Sequence, residues 1–508
     1  MIYYFLIAFW FVGQIKACLF WLYLWQLKEY HLGRFVDHFR TEKGKRLLLN
    51  PLMFLKIAMV FVFLLLGHVY LWPGFYDIIA DFILILSLLL FFIVYLLEAV
   101  RTVSNYVSNK LLKPVFTRKI QFLGLVVLIL NFCFLFWALR FSRRPLFDLL
   151  VFDIFTPLIV SSVVLIFQPL AAIWRLRVIK KATQKREGLK DLLVIGITGS
   201  YGKTSMKELL ACILKKRYKV LKTQEHQNSE IGISNCVLND LKREHEVFIC
   251  EMGAYNRGGI KLLCDIVKPK IGVLTGINEQ HMALFGSQDN IIKAKFELIK
   301  SLPKDGTAFF NGNNKYCLEL YEKTKIKKRL YGQKTKIAGL ENLEGAKAVA
   351  KELGMTEQEV STACEELKDG LPGVKIKKGR NSLDVIDASY SANPHGVIAH
   401  LDYLKTQRGK KIIIMPCLIE LGSASKRVHR EIGKKIAGVC DWAIITTKDR
   451  FKEIKEGAAE KGMKAEDIFF IENPEIIFEK VKILSSPGDI ILLEGRVPQS
   501  LIKKLIIN

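Results

Sequence analysis

Long apolar runs in the first third of the chain constrain its fold more than any other feature. Residues 1–26, 54–72, 75–97, 120–139 and 149–174 are dominated by Leu, Phe, Ile and Val. A helix needs roughly 20 such residues to cross about 30 Å of hydrocarbon. These five runs therefore predict a multi-pass α-helical membrane domain over residues 1–175. The first is interrupted by Gln14 and Lys16, and it lacks the basic start and small-residue cleavage site of a removable signal, so it is expected to stay as an anchor.

Basic residues give the orientation. Lys28, Arg34, Arg40, Lys43, Lys45 and Arg46 crowd the first loop, and Arg101, Lys110, Lys113, Arg118 and Lys119 the third, which places both on the cytoplasmic side. The N-terminus is then outside and the C-terminal body inside, in the cell membrane. Arg140, Arg143 and Arg144 in an outer loop run against this arrangement. A basic stretch at 176–190 reads as a linker and a positive-inside flank, with specific lipid recognition as the other reading. The formal charge of +26, from 75 Lys and Arg against 49 Asp and Glu, suits nucleic acid, anionic lipid or a polyanionic substrate. No nucleic-acid module is recognisable, so membrane lipid is the expected partner and nucleic acid is not. Ten cysteines without a C-x-x-C pair point to reduced thiols rather than a zinc site.

From Asp191 onward, short β-branched runs alternate with amphipathic helices, the pattern of α/β domains built on parallel sheets. Residues 192–198 form the first strand, then comes GITGSYGKTS, then a helix over 206–215. Such a glycine loop turns backbone amides toward phosphate, Lys203 can reach the terminal phosphates, and Thr204 can ligate magnesium. The spacing departs from the common phosphate-loop pattern, because Ile197 stands at the first glycine's place.

The stretch Thr198, Gly199, Ser200, Tyr201, Gly202, Lys203, Thr204, Ser205 resembles the phosphate loop of the Mur ligases, and further matches follow in order to the end of the chain. QNSEIGI, with Asn228, resembles the segment that approaches substrate and ATP; CEMGA resembles the element whose glutamate, here Glu251, holds magnesium. By the same resemblance His281 in TGINEQH is a second metal ligand, against a structural role, and Lys295 in IIKAKFELI is the lysine that many members carry as a carbamate able to bind magnesium, against an ordinary helix lysine. Asn311 and Asn342 match nucleotide-contacting asparagines. IDASYSANP keeps Asp387, Ser389, Tyr390 and Asn393 of a substrate signature, with Ala388 and Ser391 as departures, while CLIELGSASKRVHREIG keeps Glu420, Gly422, Ser425 and His429. His429 either faces substrate or packs its helix. Glu494 replaces the family's lysine in GDIILLEGR, which leaves the role of Arg496 open, and the family's usual glycine-arginine pair is not at its usual place: Gly373 is followed by Val374, and Gly379 with Arg380 sits later.

The resemblance covers about residues 190–508 and is strongest to the MurF branch. It implies a P-loop-type ATP-binding domain at 191–372 and a Rossmann-like C-terminal domain at 373–508, with catalysis by Lys203, His281 and Lys295. It implies an ATP- and Mg2+-dependent ligase of cell-wall precursor synthesis. Such an enzyme adds D-alanyl-D-alanine or an amino acid to a muramoyl-peptide carboxylate, soluble or lipid-linked, through an acyl phosphate. Typical members of that branch carry a soluble nucleotide-binding domain where this chain has its apolar spans. A membrane-bound poly-γ-glutamate synthetase and a non-enzymatic membrane scaffold with a decayed ligase domain are the alternatives.

Overall fold

The computed structural model describes residues 2–69, 77–108, 111–224, 227–333, 340–365, 375–389 and 392–506. Tyr390, Ser391 and the junctions expected near 70–76 and 371–373 lie outside them. The chain divides into two compact units, Met1–Trp174 and Arg175–Asn508.

Five helices of the first unit are long and apolar enough to cross a membrane, matching the expected number. They are Ile2–Leu27, Pro51–Val69, Asp77–Val107, Arg118–Phe141 and Pro145–Ile166, with two short helices, Leu32–His38 and Glu42–Leu48, in the first loop. The last span starts at Pro145 rather than 149, since proline at the first helical turn costs no hydrogen bond. It ends at Ile166, and a new helix, Gln168–Glu187, carries most of the stretch expected as a linker. Large side chains such as Phe61, Leu65, Ile85 and Phe136 stay more than half exposed.

Inside this unit is a polar network. Lys56 Nζ lies 2.7 Å from Glu98 Oε2 and 2.6 Å from Asp153 Oδ2. Tyr95 OH donates to Asp153 Oδ2 at 2.7 Å, and Gln14 Nε2 donates to Asp153 Oδ1 at 2.6 Å. Thr156 Oγ1 in turn donates to Gln14 Oε1 at 2.8 Å. The glutamine that interrupts the first apolar run is therefore a buried member of an ion network joining four helices.

The second unit holds two six-stranded sheets. The first has the order β2-β3-β1-β4-β5-β6, with β1 Leu193–Thr198, β2 Val220–Lys222, β3 Val247–Glu251, β4 Ile271–Leu274, β5 Thr307–Asn311 and β6 Lys327–Tyr331. Every pair is parallel. Strands β1, β3, β4 and β5 are covered by helices on both faces and read as continuous apolar runs, as buried parallel strands do. The second sheet has the order β11-β10-β9-β12-β8-β7, with β7 Lys375–Lys378, β8 Asp384–Ala388, β9 Lys411–Met415, β10 Trp442–Ile445, β11 Ile468–Phe470 and β12 Ile490–Glu494. Only β7 runs antiparallel, at one edge. In the first sheet the chain moves from β1 outward to β2 on one side and from β4 outward to β6 on the other. That reversal opens a crevice at the strands' carboxyl ends, where ligands of open α/β sheets bind.

Candidate active site

The loop after β1 fills that crevice. Its glycines are there for steric reasons: a Cβ on Gly199 would stand 2.2 Å from Thr275 Oγ1, and Gly202 caps the helix Lys203–Leu214 with φ +76°. The helix N-terminus thus points at the mouth of the crevice, a ready seat for phosphate. Lys203 folds back over the loop, its Nζ donating to Gly199 O at 2.8 Å. Burial holds its ammonium below the ordinary lysine value, with Glu251 opposing.

Glu251, at the end of β3, accepts from Thr204 Oγ1 at 3.1 Å and from Asn228 Nδ2 at 3.2 Å. Lys207, one turn beyond Thr204 and almost fully buried, places its Nζ 3.2 Å from Glu251 Oε2. Burial alone would raise the carboxyl, but Lys203 and Lys207 more than offset it and hold Glu251 below the usual carboxylate range. Sequence reading missed Lys207; its signal was the spacing Lys203, Thr204, Lys207 along one helix face.

Two further groups of the site lie farther along the chain. Lys295, on the helix Gln288–Lys300, is buried over the Phe285 ring, and burial, then Lys203, push it down to about 7. His281 follows β4 in a left-handed conformation, φ +64°, with its Nδ1 2.5 Å from Glu420 Oε2 and Tyr255 edge-on to its ring. Burial lowers His281, Glu420 opposes, and Lys295 and Lys203 lower it further. Each of these groups feels the next, so one site gathers Lys203, Thr204, Glu251, His281 and Lys295.

A hydroxyl and a carboxylate side by side at a phosphate loop are the hard oxygen donors that magnesium takes, the remaining positions going to phosphate and water. Thr204 and Glu251 fit that role. Among the described residues no three His, Cys, Asp or Glu converge, so a closed all-protein cage is not what is built here.

The asparagines divide. Asn342 lies against Gly202, and its Oδ1 is buried without a hydrogen-bond partner, as a group facing a nucleotide would be. Asn311 is occupied within the protein: its Nδ2 donates to Thr275 O at 2.8 Å and its Oδ1 accepts from Asn313 N at 2.9 Å. Tyr201 stacks on His395 with ring centroids 4.4 Å apart and is held from behind by Asn314. Ser200 anchors the loop through its amide on Gly276 O at 2.7 Å.

In the second sheet Asp387, at the end of β8, accepts from Ser389 Oγ at 2.6 Å and Lys377 Nζ at 2.7 Å. Burial would raise it, but Lys377 and Ser389 keep it below the usual carboxylate range. Asn393 caps the helix Pro394–Lys405 and also accepts from Asn278 Nδ2 at 3.2 Å, which makes it a contact between the two sheet domains. His429 is fully buried, its Nε2 accepting from Leu418 N at 2.9 Å and its Nδ1 donating to Ser425 O at 2.6 Å, so of its two readings the structure places it in helix packing. Glu420 meets His281, a partnership that nothing in the sequence pointed to. Glu494 is buried against His400, Nδ1 to Oε2 2.5 Å, with its Oε1 unpartnered.

Comparison with known proteins agrees with this geometry. Residues 197–376 match the Mur ligase middle domain, and residues 374–497 the Mur ligase glutamate ligase domain. The chain is 28% identical over 372 residues to a UDP-N-acetylmuramoyl-tripeptide--D-alanyl-D-alanine ligase of Synechocystis, covering 66% of this chain and 76% of the relative. It is 28% identical over 347 residues to the protein of the same name from Bacillus subtilis, covering 62% and 76%. Among solved structures, MurF from Acinetobacter baumannii superposes with a TM-score of 0.58 at 23% identity, covering 65% of this chain and 79% of that one. MurF ligase from Thermotoga maritima in complex with ADP gives 0.57 at 23% identity, covering 65% and 83%. The two domain matches begin beyond the five apolar helices. Together the two domain matches span more than half of the chain, which belongs to the Mur ligase family and is an ATP-dependent enzyme that forms carbon–nitrogen bonds.

Proposed function

We propose that this chain joins D-alanyl-D-alanine to the peptide carboxylate of a muramoyl-tripeptide precursor of peptidoglycan, working at the cytoplasmic face of the membrane that its N-terminal helices cross. The observation that carries the reading is the convergence of Lys203, Thr204, Glu251, His281 and Lys295 at the carboxyl ends of β1, β3 and β4. The names of its relatives supply the substrates. In this reading the middle domain is a P-loop-type ATP site, and the C-terminal, Rossmann-like domain presents the incoming amine.

The carboxylate attacks the γ-phosphorus of ATP, forming an acyl phosphate and releasing ADP. The amine then attacks the acyl carbon, the bond to phosphate breaks, and inorganic phosphate and a proton leave. Both steps crowd negative oxygens together, so the loop amides and Lys203 serve by stabilising charge as it builds. Magnesium, when bound by Thr204, Glu251, His281 and a carbamate on Lys295, would draw charge from the phosphoryl oxygens. Lys295, buried and shifted to about 7, is unprotonated for a substantial fraction of the time at neutral pH, the form that adds carbon dioxide to give a carbamate. Asn342 and the loop from Thr198 to Ser205 hold the nucleotide, while Asn228, Asp387 and Ser389 face the peptide substrate.

The test is phosphate release by detergent-purified full-length protein given ATP, magnesium and D-alanyl-D-alanine, with the uridine-linked muramoyl tripeptide or its lipid-linked counterpart as acceptor and mass spectrometry of the product. Ligation of either supports the reading, and ligation of the lipid-linked acceptor alone assigns the helices a part in substrate holding. No ligation by protein that still binds ATP would sink it.

A further inference from the structure

The second domain reaches into the first at the residue expected to bind metal. Glu420 Oε2 lies 2.5 Å from His281 Nδ1 across 139 residues of sequence, and the backbones lock beside it, Ala283 N donating to Glu420 O at 3.1 Å. Both residues sit in the left-handed region, Glu420 at φ +63° and His281 at +64°, a conformation that non-glycine residues adopt at a cost and keep only where their surroundings enforce it. Gly422 follows at φ +51°, and a Cβ there would stand 3.1 Å from Ala283 N, so the glycine permits the close approach. The pair is not a surface salt bridge, since Glu420's side chain is 8% exposed. An ion pair of that kind stands at the rim of the same contact, between Arg427 and Glu279.

We infer that Glu420 is a positioning residue for the reaction, fixing the ring of His281 so that its Nε2 faces the metal-nucleotide site only when the two domains are closed on each other. The inference rests on the reading of His281 as a metal ligand. A carboxylate that accepts from one ring nitrogen sets the tautomer and direction of the other, which is how ligating histidines are commonly oriented. Here the carboxylate comes from the other domain, so ligation and closure become one event. The His395 ring laid on Tyr201 of the phosphate loop and the Asn278–Asn393 bond bring the same domain onto the same loops. With the domains apart, His281 loses its partner, and the nucleotide site is left without a directed ligand before the reactive phosphate can meet water.

Pulsed electron paramagnetic resonance on full-length protein holding Mn2+ and a non-hydrolysable ATP analogue tests this. The wild type should show coupling from one histidine nitrogen, absent in His281→Ala. Glu420→Ala should lose or broaden that coupling and weaken Mn2+ binding about tenfold, Glu420→Gln should recover most of both, and Arg427→Ala should change neither. Normal coupling and Mn2+ affinity in folded Glu420→Ala would overturn the positioning role alone. Absence of histidine coupling in the wild type would instead overturn the reading of His281 beneath it.

Discussion

In the apolar helical unit one ammonium, Lys56, is shared by Glu98 and Asp153, and Tyr95 and Gln14 satisfy Asp153 further; in the ligase unit the ammoniums of Lys203 and Lys207 gather around Glu251. The first network closes on itself. Its members face one another from four helices, and they favour the one helix arrangement that brings them together, where apolar contacts alone discriminate little. The second is left open. Lys203 rests on loop carbonyls, so its buried positive charge waits for an anion that arrives with the substrate. A closed network contributes to stability, whereas an open one costs stability and is kept for chemistry.

That contrast breaks first, and most strongly, at Lys56. Lys56→Met leaves two carboxylates facing each other in an apolar bundle, and removing one partner of a buried pair costs about 3–5 kcal/mol. Thermal unfolding in detergent should show a large drop, and adding Glu98→Gln and Asp153→Asn should restore most of it. An unchanged melting temperature in the single variant would mean that the network holds nothing together.

The ligase site should split the other way. Lys203→Ala should lower kcat roughly 10²- to 10³-fold, the loss seen when one pre-placed charge-stabilising donor is removed. Its melting temperature should hold or rise, because a buried ammonium has gone while Lys207 still pairs with Glu251. A variant that unfolds with its activity would show that Lys203 is structural and that the two networks are alike.

What was legible in the sequence follows the same division. The spans could be read because hydrocarbon demands long apolar runs, and the sheets because buried parallel strands leave near-continuous ones. The loop from Thr198 to Ser205 and Glu251 could be read because local geometry fixes them to a strand end. The charged residues of this network were not singled out, because Lys56 and Asp153 are isolated in apolar runs, Glu98 follows the end of another, and only packing joins them. Likewise the partnerships of Glu420 with His281 and of His395 with Tyr201 join residues far apart in the chain. Lys207 was not singled out either, since burial of its face depends on β3 arriving beside it.

The smallest effect should come from Glu494, where the comparison is sharpest because this carboxylate fits neither pattern: it has one partner, His400, and one buried oxygen with none. Burial raises its pKa above the ordinary value of 4.5, with His400 opposing. A carboxyl whose folded value is raised binds more protons in the folded than in the unfolded protein, so the stability it contributes is present at low pH and is lost as pH rises from 4.5 through the folded value. Glu494→Gln keeps an acceptor for His400 and removes that titration. Its melting temperature should therefore exceed the wild type's by a few degrees at pH 8, an effect of about 1 kcal/mol, with the gap closing toward pH 4.5. A gap that stayed constant with pH would show that Glu494 is uncharged throughout. A gap of opposite sign at pH 8 would place it with Lys56, as an ion whose pairing with His400 holds the fold.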